Sequence, residues 1–227
     1  MIPDLVIFDC DGVLVDSEAL SIGALLAMVE RAGGSIAEDL AYERFLGRSV
    51  ANVREILGSE FGLALTEKDL TAMRVDLMRR FREELRPMPG VFEALRDLAP
   101  KRCVASSGTL DRIRYALEVT GLLRFFEPHL FSAAMVRRGK PAPDIFLHAA
   151  AAMGVAPANC LVIEDSPAGV AAARAAGMRV FAFAGGSHAA GAGVRERLAS
   201  SGPDFIFADM LHLPRLVAAL GAREQAS

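Results

Sequence analysis

The chain has no tryptophan, only two tyrosines and only three cysteines, and just three of its 25 basic residues are lysines. Cys10, Cys103 and Cys160 are odd in number and far apart, with no Cys-x-x-Cys spacing and no nearby histidine to complete a zinc set. They therefore predict buried, reduced thiols and not a disulfide frame or metal site. Long apolar runs are also missing. The first one ends at Phe8, too short for a signal peptide or membrane span, so a cytoplasmic protein without a membrane partner is expected. The formal charge is −3 with both signs spread along the chain, which gives no basic field for nucleic acid and disfavours it, so no nucleic-acid partner is expected. With no internal repeat, 227 residues fit one large domain or a main domain with a smaller insert.

Short apolar runs are present at Leu5 to Phe8, Cys103 to Ala105, Leu161 to Ile163, Val180 to Phe183 and Phe205 to Phe207. None alternates with polar residues, which predicts strands of a parallel sheet buried on both faces. Helical stretches at Leu110 to Val119, Asp144 to Met153 and Ala168 to Ala176 lie between them, closed by Gly121, Gly154 and Gly177. Alternating strand and helix means α/β. Residues 15 to 88 break the rhythm, because the periodic segments near 17–32, 37–46, 49–58 and 67–85 are all helical, the last opened by a Thr66/Asp69 capping box. Pro87 and Pro89 mark the return, so a helical insert is expected after the first strand.

In an open parallel sheet, ligands gather at the carboxyl ends of the strands. The first run ends in Asp9-Cys10-Asp11-Gly12, and a spacing of two in extended chain turns both acids the same way and Cys10 away from them. Leu161-Val162-Ile163 ends in Glu164-Asp165 and brings more carboxylate to the same rim. Either pair alone also fits a helix cap or turn, and Ser166 before Pro167 has the form of a cap. Both pairs on one rim favour a hard, oxygen-ligated cation, for which Mg2+ best suits phosphate chemistry.

The run ending at Ala105 continues into Ser106-Ser107-Gly108-Thr109 and a helix start, which offers hydroxyls and free amides to an anion, or simply a cap. Lys140 sits between Gly139 and Pro141, where a compact ammonium could neutralise a phosphate oxygen and a carboxylate together, or where it could be a solvated loop residue. His129, His148, His188 and His212 show no metal spacing and are assigned surface or packing roles, while Gly185-Gly186-Ser187-His188 is a rim loop or a turn.

Four ordered segments, Asp9 to Ser17, Ser106, Lys140-Pro141-Ala142-Pro143-Asp144 and Glu164 to Gly169, resemble the motifs of the haloacid dehalogenase superfamily. The branch they resemble carries a helical cap after the first motif and holds β-phosphoglucomutase and many sugar-phosphate phosphatases. The resemblance implies a Rossmann-like parallel-sheet core at 1–14 and 89–227 with an α-helical cap at 15–88. It implies Asp9 as nucleophile and Asp11 as acid and then base. Mg2+ would be held by Asp9, the backbone carbonyl of Asp11 and Asp165, with Glu164 binding it directly or one step removed. Ser106 and Lys140, helped by Ser107, would bind the transferring phosphoryl group.

The activity implied is Mg2+-dependent hydrolysis of a small phosphate ester, a sugar or sugar-acid phosphate, by a monomer or weak homodimer. A metal-free dehalogenase is disfavoured by Asp11 and Asp165. A phosphonate-cleaving relative would need a Schiff-base lysine in the cap, where Lys68 stands in a capping turn. The mutase alternative meets Ser21 where β-phosphoglucomutase has a cap histidine, and Gly47-Arg48-Ser49-Val50 where it has Gly-x-Ser-Arg. A phospho-receiver module needs about half this length and has no place for the insert. Phe45 to Ser49, with Arg48, and Arg54 beyond, are expected to close over the site and grip the unreacting part of an anionic substrate.

Overall fold

The computed structural model describes residues 1–46, 48, 50–190 and 193–222. Strand β1 (Leu5–Phe8) is followed by four helices, α1 (Glu18–Arg31), α2 (Glu38–Phe45), α3 (Val50–Phe61) and α4 (Glu67–Glu84). Helix α5 (Val91–Asp97) then leads into β2 (Lys101–Ser106), α6 (Leu110–Val119), β3 (Leu130–Ser132), α7 (Asp144–Ala152) and β4 (Cys160–Glu164). The chain continues through α8 (Pro167–Ala175), β5 (Arg179–Phe183), α9 (Val194–Ser200), β6 (Phe205–Phe207) and α10 (Leu213–Ala222).

The six strands form one sheet in the order β3-β2-β1-β4-β5-β6, with every pairing parallel. Side chains alternate across it. Val6, Phe8, Val104, Leu161 and Ile163 belong to one apolar layer, and Leu5, Ile7, Cys103, Ala105 and Val162 to the other. Both faces are covered, which is why the strands read as continuous apolar runs. Phe8 is fully buried edge-on to Phe126 at 5.7 Å between ring centroids, and its truncation to alanine would cost about 3–5 kcal/mol.

The chain leaves the sheet through a bridge from Asp11 to Val15 and comes back through an antiparallel bridge from Val15 to Pro87. Asp16 N donates to Arg86 O at 3.0 Å and Met88 N to Leu14 O at 2.9 Å. These paired connections hold α1 to α4 next to the carboxyl end of β1. Inside the insert, Leu25, Met28 and Val29 of α1 and Met73, Leu77 and Phe81 of α4 are buried, the latter at the helical spacing of four. The capping box is present: Thr66 accepts from Asp69 N while the Asp69 side chain accepts from Thr66 N.

Three elements were not apparent in the sequence pattern. Strand β3 has only three residues at the sheet edge, too few for a periodicity, and α9 and α10 follow strands whose loops carry no strong cap signal.

Candidate active site

Register places the site. Phe8 pairs with Val104 on one side and Ile163 on the other, so Asp9 lies between the ends of β2 and β4, its amide donating to Ile163 O at 2.9 Å. Cys10 falls on the opposite face with Phe8, where burial pushes its thiol well up, and all three cysteines are free and buried.

The Lys140 ammonium reaches this point from the loop after β3. It donates to Asp9 Oδ1 at 2.6 Å, Glu164 Oε1 at 2.5 Å and Ala105 O at 3.2 Å. Burial alone would lower its pKa, but Asp9 and Glu164 beside it hold it above the ordinary lysine value. The solvated-loop alternative for Lys140 is therefore set aside: its side chain is 4% exposed.

Glu164 has both oxygens engaged. Oε2 accepts from the amides of Asp165 and Ser166 and from Ser166 Oγ, each at 3.0 Å. Its carboxylate lies so close to α8 that a Cβ on Gly169 would fall 1.8 Å from Oε1, so glycine is required there. Ser166 also caps α8, accepting from Gly169 N at 3.1 Å, so the cap and the rim acids coexist.

Asp9, Glu164 and Asp165 offer oxygens within 4.8 Å of one another. Burial drives the Asp9 and Asp165 carboxyls well up; Glu164 raises both further, while Lys140 only partly offsets this. Three buried carboxylates against one ammonium leave negative charge uncompensated, and an all-carboxylate donor set suits a hard dication, so these residues fit a divalent metal. The Asp11 side chain is not in this group. Its Oδ1 accepts from Ser17 Oγ at 2.6 Å and Arg112 Nη2 at 2.9 Å, which turns it toward the helical insert.

Ser106 is buried at the end of β2, its Oγ accepting from Gly108 N at 3.1 Å, and Thr109 caps α6. Ser107 and Gly108 join Asp9, Lys140 and Asp165 in lining a chamber of about 790 Å³ between sheet and insert. From the insert, Arg48 and Arg74 also line it. Gly47 and Ser49 of the expected gripping segment lie outside the described residues. Arg54 does not line the chamber but pairs with Glu67 at 2.7 Å, because Val53 and Leu57 take the buried face of α3.

The sequence reading missed Arg112 and Glu18. Arg112 lies in the first turn of α6, where a cation opposes the helix dipole, and that misplacement was a usable signal. Its Nη2 also reaches Ser21 Oγ at 3.2 Å, its guanidinium lies 5.5 Å from the Phe81 ring centroid, and its Nε is buried without a hydrogen-bond partner. Burial pushes the Glu18 carboxyl up to about 8, with Asp165 and Asp11 adding to the rise. An acid in the first turn of a helix looks like ordinary dipole compensation, so Glu18 gave no signal.

A doubly wound sheet delivering an acid, a buried lysine and a serine turn to one rim, beneath a helical insert, defines an enzyme core. Residues 3–177 match the model of the haloacid dehalogenase-like hydrolases, and the chain belongs to that family. It is 32% identical over 186 residues to 6-phosphogluconate phosphatase of Escherichia coli strain K12, spanning 82% of this chain and 84% of the relative. Among solved structures, a haloacid dehalogenase-like protein of Agrobacterium tumefaciens superposes with a TM-score of 0.84 at 38% identity, covering 96% of this chain and 99% of that one. A HAD family hydrolase of Deinococcus radiodurans with bound phosphate and sodium gives a TM-score of 0.76 at 27% identity, covering 97% of each chain. Among the described residues, no helix is long and apolar enough to cross a membrane.

Proposed function

We propose that this enzyme, a phosphoric monoester hydrolase in class, is a Mg2+-dependent phosphatase of a sugar or sugar-acid phosphate acting through an aspartyl-phosphate on Asp9. The observation that carries the reading is the buried ammonium of Lys140, held at once by Asp9 and Glu164 at the floor of the chamber. Kinship with a 6-phosphogluconate phosphatase and with a phosphate-bound hydrolase supports the substrate class.

An Asp9 carboxylate oxygen attacks phosphorus as the ester P–O bond breaks, and Asp11 gives its proton to the departing oxygen. Asp11 then takes a proton from water, which attacks the aspartyl-phosphate and releases inorganic phosphate with Asp9 restored. Lys140, Ser106 and the amides at the start of α6 neutralise and orient the phosphoryl oxygens, where most of the catalysis of phosphoryl transfer resides. Mg2+ would be held by Asp9, Asp165 and the backbone carbonyl of Asp11, and would supply charge neutralisation for the phosphoryl group. Glu164, its oxygens already engaged, serves mainly to fix Lys140 and the turn into α8.

Residues 1–14 and 89–227 form the core and 15–88 the cap, a division supported by the paired crossings at Val15 and Pro87. Arg48 grips the unreacting part of the substrate. The enzyme works in the cytoplasm as a monomer or weak homodimer. A phosphomutase is less well supported, because Ser21, at the place of the mutase's cap histidine, is bound to Arg112. A phosphate-release assay on a panel of esters decides the matter. Sugar and sugar-acid phosphates should be hydrolysed with Mg2+, weakly with Ca2+ and not in excess chelator. Full activity in chelator, or conversion of a sugar phosphate to its isomer without phosphate release, would contradict the reading.

A further inference from the structure

His188 is buried to 5% exposure, yet neither ring nitrogen has a hydrogen-bond partner. Nε2 lies 3.1 Å from Asp165 Oδ2, within reach but not aligned as a hydrogen bond. Leaving two buried polar atoms unpaired is costly. The backbone around the ring is cleared for it. A Cβ on Gly12 would stand 1.8 Å from Asp165 Oδ2 and 3.0 Å from His188 Cε1, and a Cβ on Gly186 would meet the same Cε1 at 2.6 Å. Two glycines from opposite ends of the chain thus make room for one imidazole against one carboxylate.

The loop that carries it is anchored. Ser187 donates from its amide at 3.2 Å and from Oγ at 2.8 Å to Asp16 Oδ1, where the chain departs for the helical insert. The short turn Ser187–Ala190 also packs against α1. His188 is therefore held at Asp165 by contacts outside the acidic cluster.

We propose that His188 is a positioning residue for Asp165: with a metal bound, its Nε2–H, already 3.1 Å from Oδ2, aligns as a hydrogen bond that fixes the carboxylate for the ion. This rests on the reading of Asp9 and Asp165 as metal ligands. Groups that orient a ligating side chain have large effects on metal affinity even without touching the ion.

The test is Mn2+ binding followed by electron paramagnetic resonance on wild type, His188→Gln, His188→Phe and His188→Asn, with thermal unfolding run on each. His188→Phe fills the space without a donor and should weaken Mn2+ binding about 10- to 100-fold at near-normal Tm. His188→Gln places an amide N–H near Nε2 and should stay within about threefold of wild type, since a charge-assisted hydrogen bond survives. If the phenylalanine variant does not fold, His188→Asn, whose amide falls short of Asp165, should show the same loss. Unchanged affinity in the folded Phe or Asn variant overturns the proposal, as does an equal loss in the Gln and Phe variants. Wild type that binds no Mn2+ at all removes the metal reading and this proposal with it. Wild type that binds normally beside unaffected variants removes only the role of His188.

Discussion

Arg112 Nη2 lies 2.9 Å from Asp11 Oδ1, so the helix that begins at the serine turn also holds the second acid of the first strand. Ser17 Oγ shares the same Asp11 oxygen at 2.6 Å. Burial by itself would depress the Arg112 guanidinium, but Asp11 and Glu18 hold its pKa above the ordinary value. Core helix, insert and acid are joined by one cation.

That cation should therefore matter to the chemical step more than to binding. Arg112→Ala is expected to lower kcat by about 10²-fold through a misplaced Asp11, with KM little changed and Arg112→Lys recovering part of the loss. Steady-state kinetics with a good substrate check this. An unchanged kcat would show that Asp11 needs no such support.

Glu18 should leave a pH signature in stability. Burial raises its folded pKa to about 8 from the ordinary value of 4.5, so the native state keeps a proton that the unfolded chain has already released. Its contribution is fully favourable below about pH 4.5 and is lost as pH rises through 8. Glu18→Gln should thus gain on wild type across that window, by on the order of a few kcal/mol at pH 9. Urea unfolding of both proteins at pH 5, 7 and 9 in chelator measures the difference. A difference that does not grow with pH would contradict it.

Gly169 should tolerate no side chain. A Cβ there would collide with Glu164 at 1.8 Å, pushing away the carboxylate that holds Lys140. Gly169→Ala is expected to lose about 1–3 kcal/mol of stability and most of its activity, whereas half-buried Ala168→Gly, one residue earlier, should keep the activity. Denaturation and phosphate release on both variants provide the check.

Arg48 and Arg54 should part company. Arg48 lines the chamber and Arg54 is tied to Glu67 on the outer face of α3. Arg48→Ala should lower kcat/KM for a sugar-acid phosphate by about 10-fold or more while sparing p-nitrophenyl phosphate, which does not use a remote contact. Arg54→Ala should change neither. Equal effects of the two substitutions on both substrates would discard the grip.

Much of this site was legible in the sequence because its residues terminate unbroken apolar runs. Asp9 and Asp11 follow Leu5–Phe8, Ser106 ends β2 and Glu164 ends β4, so strand polarity alone gathers them on one rim. Lys140 could be singled out among few lysines, but not its burial, which depends on Phe146 beneath it, 4.9 Å from the ammonium, and on Glu164 beside it. The α3 pattern already carried the reason why Arg54 faces outward, since Val53 and Leu57 define the buried side. His188 could not be read as more than packing. Its neighbours Asp165 and Asp16 arrive from elements 23 and 172 residues earlier, and only the folded loop brings them together.

The central claim is covalent catalysis by Asp9, and the most direct measurement is mass spectrometry of enzyme quenched in acid during turnover with Mg2+ and substrate. The account predicts one phosphoryl group on the peptide containing Asp9 in wild type. Asp9→Asn should give a folded, inactive protein with no such adduct. Appreciable turnover by folded Asp9→Asn, or a phosphoryl group found on another residue, would contradict it.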